Sequence, residues 1–506
     1  MAVSEAIQTA PVYQALAEVV AKHPAKTAIV FDGEQISYTT FLIMVDRAAA
    51  HFSRAGIGRG GVVAVCSQNR PEIMYAYYAA AKLGAVLVPV NAALTAEEVA
   101  YAVEHSGANV LYYDASMTET IWAAVDEDRI ELIDALAEPL DGEREITAAE
   151  VRSEDDFLLI YTSGSTGAPK AVMLSQGGQC AAPEALARMW GVGADDVVLV
   201  ALPLGFLYGL STGCAVAFQS GATVVLQRRF HPGEALEGFV SENATVFQGV
   251  PTMYSMMLEY CEQQDIFFDL SGMRSLICAG APLGPELAAR FKDRFGNEIQ
   301  NYYAMTEATP IFGRYREDPG PVPGMAIGKA APGAEIRILR PDGTACADGE
   351  EGEILVRGAS TLTRYVGNEV LTRESLVDGF FRSGDLGYRD ANGFYFLTGR
   401  LKDIIIRGGA NIAPAEVEAA IETHPAVQAA AVVGAADRIF GEVPVAFVVL
   451  ASGRTATAEE LEAHAAKRLA AFKVPRRILF EKAFPLGVTG KVDKAKLKTR
   501  LAEQAN

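Results

Sequence analysis

The stretch RPEIMYAYYAAAKLGAVLVPVNAALTAEEVAYAVEHSGA, residues 70 to 108, limits what this chain can fold into more than any other. A helical run up to Gly84 gives way to the short β-rich run VLVPVN, and a second helix follows from Thr95. Thr95 and Glu98 stand in capping-box spacing, and Gly107 supplies the stop. Strands that alternate with helices cannot pair as hairpins, so the pattern predicts a parallel sheet covered by helices. The same texture precedes this stretch in TAIVFDG and VVAVCSQ. It returns in DDVVLVALPL, GATVVLQ, ATVFQGVP and MRSLICAGAP, with a helix predicted over 285–295.

At 506 residues the chain is too long for one compact core. After Asn301 the texture changes to short strands with Gly and Pro turns (AEIRILRPDGTA, GEILVRG, GFYFLTGR), which predicts a separate β-rich subdomain ending near Arg400. A last α/β unit of about a hundred residues follows a short polar turn at Arg400–Asp403. The expected fold is therefore α/β, with α/β subdomains and a β-rich subdomain in a large N-terminal domain (1–401). A small α+β C-terminal domain (402–506) completes it.

Lys and Arg total 44 against 63 Asp and Glu, a net charge of −19. Such a chain is not expected to bind nucleic acid non-specifically or to adhere to anionic membrane. If it handles a phosphorylated ligand, it must gather its few cations locally. Six scattered cysteines without a Cys-x-x-Cys pair read as buried thiols rather than a zinc site or a disulfide framework. The start MAVSEAIQTAPVYQAL has no basic region followed by a long apolar run, so no signal peptide is read. The apolar stretch from Met74 to Leu94 is broken by Lys82, Gly84 and Asn91, so no membrane span is expected. The cytoplasm is the expected compartment.

IYTSGSTGAPKAVMLSQ, residues 160 to 176, concentrates hydroxyls, glycines and one lysine in a single loop. Glycines let backbone N–H groups approach phosphate oxygens, hydroxyls add donors, and Lys170 adds a point charge. The spacing is not that of a Walker A loop. From composition alone, a polyanion cradle and a Gly/Ser surface turn both remain open.

Order along the chain carries more. YTSGSTGAPKAVMLS closely resembles the phosphate loop of the adenylate-forming superfamily, whose members include acyl- and aryl-CoA ligases. AAAKLGAVLVPVNAALTAEE, CAGAPLGPEL, YYAMTE, FRSGDLGYRDANGFYFLTGRLKDIIIRGGANIAPAEVE and TGKVDK resemble its further motifs, in the family's order from Ala79 to Lys494. The resemblance implies a carbon–sulfur ligase that uses ATP, Mg2+ and coenzyme A. A small carboxylic acid is first joined to AMP with release of pyrophosphate, then passed to a thiol.

By that resemblance, Thr162, Ser163, Gly164, Ser165, Thr166, Gly167 and Lys170 cradle the β- and γ-phosphates. Gly280 and Ala281 line one adenine face, and Tyr303 stacks on adenine. Thr306 touches the α-phosphate, and Glu307 holds Mg2+. Asp385 accepts the ribose hydroxyls, with Arg400 beside it. Lys491 reaches the α-phosphate and acyl oxygens. Lys402 matches the family's hinge, about which the C-terminal domain swings so that Gly408 and Gly409 form the pantetheine passage. The implied acyl pocket comprises Phe206, Leu207, Tyr208, Phe247, Ala279, Tyr302, Ala304 and Thr309.

Three departures from the family's pattern bear on the substrate. Ala171 and Gln176 stand where the phosphate loop usually has Gly and His. Phe206 replaces the His of most CoA ligases, and Tyr302-Tyr303-Ala304 replaces Gly-Tyr-Gly. None of the six histidines falls in a recognised motif. Leu207 sits where amino-acid-activating relatives place an Asp. An apolar wall without a cation or anion costs several kcal/mol to any buried charge, so a neutral, compact tail is expected. An aromatic acid leads and a short or medium aliphatic acid follows, unless Arg314 or Arg316 turns inward. The acceptor is coenzyme A or the phosphopantetheine of a carrier protein, and the enzyme a monomer or homodimer. A non-catalytic nucleotide-binding relative is disfavoured because Lys170, Glu307, Asp385, Arg400 and Lys491 are all present.

Overall fold

The structure is a computed structural model. It describes residues 10–140, 146–162, 169–318, 320, 322–407, 410–437, 439–487 and 491–503.

Two large sheets carry the N-terminal part. The first has nine strands, and its six central members are parallel: 299–305, 275–278, 246–249, 197–200, 223–226 and 27–31. The second has seven, with 156–162, 86–91, 62–67, 110–113 and 130–132 parallel. The helix Pro71–Leu83 buries every residue except Glu72. A helix apolar on all sides needs cover all round. Its tyrosines pack against Phe41, Phe157 and Phe218 in one core shared with both sheets. Lys82 is 5% exposed in that helix, and its ammonium is held by Asp46 at 2.7 Å. The predicted capping box at Thr95 and the left-handed stop at Gly107 are both formed.

The β-rich subdomain starts later than expected. Ile299–Met305 and Ala308–Gly313 extend the nine-stranded sheet, joined antiparallel at its edge, and do not open a new unit. Their apolar residues complete the main core, which overrides the local Gly/Pro texture. The separate antiparallel sheet runs from Glu335–Leu339 through Gly352–Arg357 and Phe380–Arg389 to Tyr395–Arg400. Leu401–Asp403 then makes one 3-10 turn. A fourth sheet follows, built on the long antiparallel pair Val427–Asp437 and Gly441–Leu450. Its own apolar core joins Ile405, Val417, Val432, Val448 and Leu461. Five of the six cysteines are buried. Among the described residues, no helix is long and apolar enough to cross a membrane.

Candidate functional site

The carboxyl ends of parallel strands leave backbone N–H groups and loops facing a common crevice, where ligands of open α/β sheets bind. Here that edge carries Gly249, Gly280 and Tyr303, at or just beyond the ends of three adjacent strands. Gly280 has φ +86°, a left-handed conformation that suits glycine, and a Cβ there would stand 3.3 Å from Val250 Cγ1.

Tyr303 and Asp385 meet across two sheets. The Tyr303 hydroxyl donates to the Asp385 carboxylate, and Phe312 stacks on the Tyr303 ring at 5.6 Å. Asp385 is 3% exposed, and Arg400 Nε lies 2.6 Å from its Oδ1. These two charges face each other because Asp385 and Arg400 are register partners in an antiparallel pair. Burial and the neighbouring carboxylate push the Tyr303 phenol well above its ordinary range. Tyr303 is therefore a neutral donor at neutral pH, and the Asp385 carboxyl is held in place between it and Arg400.

Glu307 sits in the turn that links Met305 to Ala308, 8% exposed. One of its oxygens accepts a hydrogen bond from the Tyr365 hydroxyl at 2.9 Å. Lys170 stands over the Tyr365 ring, 5.3 Å from its centroid. Thr162 and Lys170 are register partners at the ends of two antiparallel strands, so they close the predicted phosphate loop at its base. Ser163, Gly164, Ser165, Thr166 and Gly167 lie outside the described residues, as do Gly408 and Gly409. Thr306 and Ala281 are at least partly open to solvent at the same crevice.

Lys491 comes from the C-terminal unit. The bridge between Leu486 and Val492 and the bond from Gly487 N to Lys491 O tie down the segment that carries it. Its side chain keeps solvent access, yet Cε would stand 4.0 Å from a Cβ at Gly280. Burial and then the nearby Arg400 lower its pKa, opposed by Asp385 and Glu307. The acidic chain has thus concentrated cations here, since Lys402 also bears on Lys491. Gln428 Nε2 meets Glu259 Oε1 at 3.4 Å, a second contact between the C-terminal unit and the rest of the chain.

Most of the expected acyl-pocket residues cluster beside this crevice. Tyr302 lies 5.1 Å from Trp190 and 6.4 Å from Tyr208, ring to ring. Leu207, Ala279 and Tyr302 belong to one buried cluster, against which Ala304 packs. Phe206 is half-buried, and the buried Thr309 hydroxyl donates to Met305 O at 2.6 Å. Phe247 does not join them. It points to the other face of its strand and packs against Phe239 and Tyr254. Its neighbour Gln248 takes the inner side, where it bonds Thr212. Arg314 and Arg316 also stay away: with Arg274 they line a cavity of about 250 Å3 at the opposite ends of the strands.

Sequence reasoning missed Tyr365 and Gln248. Tyr365 lies 58 residues from Glu307, and no local pattern joins them. Gln248 had one signal, a polar residue inside an otherwise apolar strand.

The residues fit a nucleotide with its metal. Asp385 offers a fixed carboxylate to a diol, Gly280 a backbone without a side chain, and Glu307 a hard oxygen donor of the kind Mg2+ prefers.

Comparison with known proteins agrees. The sequence profile described as AMP-binding enzyme matches residues 16–366, and that described as AMP-binding enzyme C-terminal domain matches 416–491. A feruloyl-CoA synthase of Amycolatopsis is 36% identical over 480 residues, 94% of this chain and 96% of the relative. ATP-bound MatB from Rhodopseudomonas palustris superposes with a TM-score of 0.89 at 27% identity, covering 99% of this chain and 100% of that one. The o-succinylbenzoate CoA synthetase MenE from Bacillus subtilis, bound to its acyl-adenylate intermediate, gives 0.84 at 29% identity, covering 97% and 98%.

Proposed function

The chain belongs to the AMP-binding enzyme family, and from that premise we propose that it activates a compact aromatic carboxylic acid. It is an AMP-forming acid–CoA ligase: a carboxylate and ATP give an acyl-adenylate and pyrophosphate, and coenzyme A takes the acyl group.

The residue roles are proposed from the geometry. A carboxylate is ionised at neutral pH and needs no general base. The obstacle is repulsion between two anions, so catalysis consists of positioning and charge neutralisation. At an effective dielectric of about 20, unit charges 4 Å apart interact by about 4 kcal/mol. One well-placed cation therefore matters. Lys491 supplies it next to the Gly280 backbone, while Lys170 holds the departing pyrophosphate. Asp385 and Arg400 anchor the ribose end, and Tyr303 fixes Asp385. Glu307, with Tyr365 on one oxygen, holds Mg2+, which supplies neutralisation of phosphate charge when bound.

In the second half-reaction a thiol must reach the place Lys491 occupies. We take 1–401 as the adenylating domain and 402–506 as the part that moves, with Lys402 in the 3-10 turn as hinge. The single observation that carries this reading is the approach of Lys491, from the C-terminal unit, to Gly280, Asp385 and Glu307.

The apolar, aromatic surroundings of Tyr302 favour an aromatic acid, in keeping with the feruloyl and succinylbenzoate relatives. A panel of benzoates, cinnamates and aliphatic acids of rising length, scored by pyrophosphate release, tests it. The aromatic acids are expected to lead. Thioester formation with coenzyme A and with a holo-carrier protein as separate acceptors tests the second step, and inactivity with coenzyme A would contradict it.

A further inference from the structure

Lys170 opens a strand whose two neighbours end beside it. On one side, Thr162 and Tyr161 are the register partners of Lys170 and Ala171. On the other, Tyr365 pairs with Val172, and Val366 N donates to Ala171 O at 2.9 Å. Successive side chains of a strand point to opposite faces. Lys170 and Tyr365 therefore share the face that meets Glu307, while Tyr161, Ala171 and Val366 share the face behind it.

The helix Ala96–Ser106 covers that rear face, and His105 in its last turn touches both flanking segments. His105 Nδ1 lies 2.9 Å from the Tyr161 hydroxyl. The hydroxyl donates to Ala102 O at 3.2 Å, so its lone pairs are left to accept from Nδ1. Ser106 lies beside the same oxygen. At the ring's far edge, a Cβ on Gly367 would stand 3.1 Å from Nε2. Gly367, two residues after Tyr365, has φ +71° and leaves room for the imidazole. Tyr101 stacks on the ring at 5.2 Å and meets Tyr161 edge-on at 6.0 Å.

Covering the sheet needs only apolar residues, and Val99, Ala102 and Met173 do so. A hydrogen-bonded imidazole at the end nearest the loop adds direction, because a bond constrains angle and distance where apolar contact tolerates sliding. Groups that must hold a reacting ligand are placed accurately when packing and hydrogen bonds behind them lock their supports. We propose that His105 is a positioning residue for the pyrophosphate grip. Braced on Tyr101, it fixes Tyr161 and the Gly367 backbone, and through them Lys170 and the Tyr365–Glu307 pair. The proposal rests on the ligase reading above, in which Lys170 holds the departing pyrophosphate.

The test compares the two half-reactions in Tyr161→Phe and His105→Leu, with folding checked by thermal melting. Pyrophosphate–ATP exchange uses the grip. Thioester formation from supplied acyl-adenylate and coenzyme A does not, because the pyrophosphate has already gone. In both variants the KM values for ATP and pyrophosphate in exchange rise about three- to tenfold, while the thioester step keeps its rate. His105→Asn, which sets an amide N–H near the place of Nδ1, recovers most of the loss. The double variant is no worse than the poorer single one, because both remove the same bond. Unchanged KM values in Tyr161→Phe, which keeps the ring and its packing, overturn the proposal. So does an equal loss in both half-reactions, the result of a merely structural role. Exchange absent from the unaltered enzyme with every acid of the panel would instead remove the ligase reading, and this proposal with it.

Discussion

Lys491 lies against the backbone of Gly280, close enough that a Cβ at position 280 would stand 4.0 Å from the lysine's Cε. The two residues are 211 positions apart and belong to different units of the chain, so their contact reports how the C-terminal unit is docked. The same lysine feels Arg400, Asp385 and Glu307. A cation that burial and like charges disfavour gains most when a polyanion arrives.

Gly280→Ala tests the backbone side of that contact. Its φ of +86° strains any L side chain by roughly 1 kcal/mol or more, and the new Cβ would crowd Val250 at 3.3 Å. A several-fold rise in the KM for ATP is expected, with the KM for the acid much less affected. Steady-state kinetics with each substrate varied in turn distinguishes the two.

Tyr365→Phe removes the hydrogen bond that fixes Glu307 but leaves the ring under Lys170. The carboxylate then loses a partner worth about 1.5–3 kcal/mol to a charged group. The Mg2+ concentration needed for half-maximal pyrophosphate release should rise several-fold. An unchanged metal requirement would mean that Glu307 is not its holder.

Arg400→Ala leaves the buried Asp385 without its paired guanidinium, while the Tyr303 hydroxyl still donates to it. Arg400 keeps 43% of its side chain in solvent, which screens the pair, so the loss of stability is expected to be about 1 kcal/mol. A lower melting temperature and weaker ATP binding are expected together, measured by calorimetry of the free and ATP-loaded protein. Asp385→Asn should weaken ATP binding with a smaller loss of stability, because an amide needs no counter-charge.

Glu422 gives a pH dependence with a defined sign. Burial lifts its carboxyl to about 7, opposed by the Ala430 N–H and reinforced by Glu418 and by Glu286 from the N-terminal part. A carboxyl whose folded pKa is raised binds its proton more tightly in the folded state. Stability is therefore highest below the unfolded value and falls as pH climbs through about 7. Thermal melting should show the C-terminal unit less stable at pH 8 than at pH 6. Glu422→Gln should flatten that dependence, since it keeps the bond-accepting oxygen and loses the charge.

Much of this was legible in the sequence. Alternating strand and helix patterns gave the parallel sheets, and Thr95, Glu98 and Gly107 marked their helix to the residue. The ordered motifs brought Tyr303, Glu307, Asp385, Arg400 and Lys491 to one crevice. Other features were hidden for physical reasons. The strand Val246–Gly249 is buried on both faces, so only the polar character of Gln248 hinted that it and not Phe247 faces inward. Gly and Pro after Asn301 suggested a new unit, but Tyr302, Ala308, Ile311 and Phe312 are claimed by the main core. Tyr365 reaches Glu307 only through a two-strand pairing with Lys170–Ser175. A sequence window does not contain such a contact.

The most direct test separates the two half-reactions in Lys491→Ala. Pyrophosphate–ATP exchange, which needs the lysine at the crevice, should fall by several orders of magnitude. Thioester formation from supplied acyl-adenylate and coenzyme A should persist near the unaltered rate. Equal loss of both steps, or exchange that survives the substitution, would contradict the role given to this residue and the movement built on it.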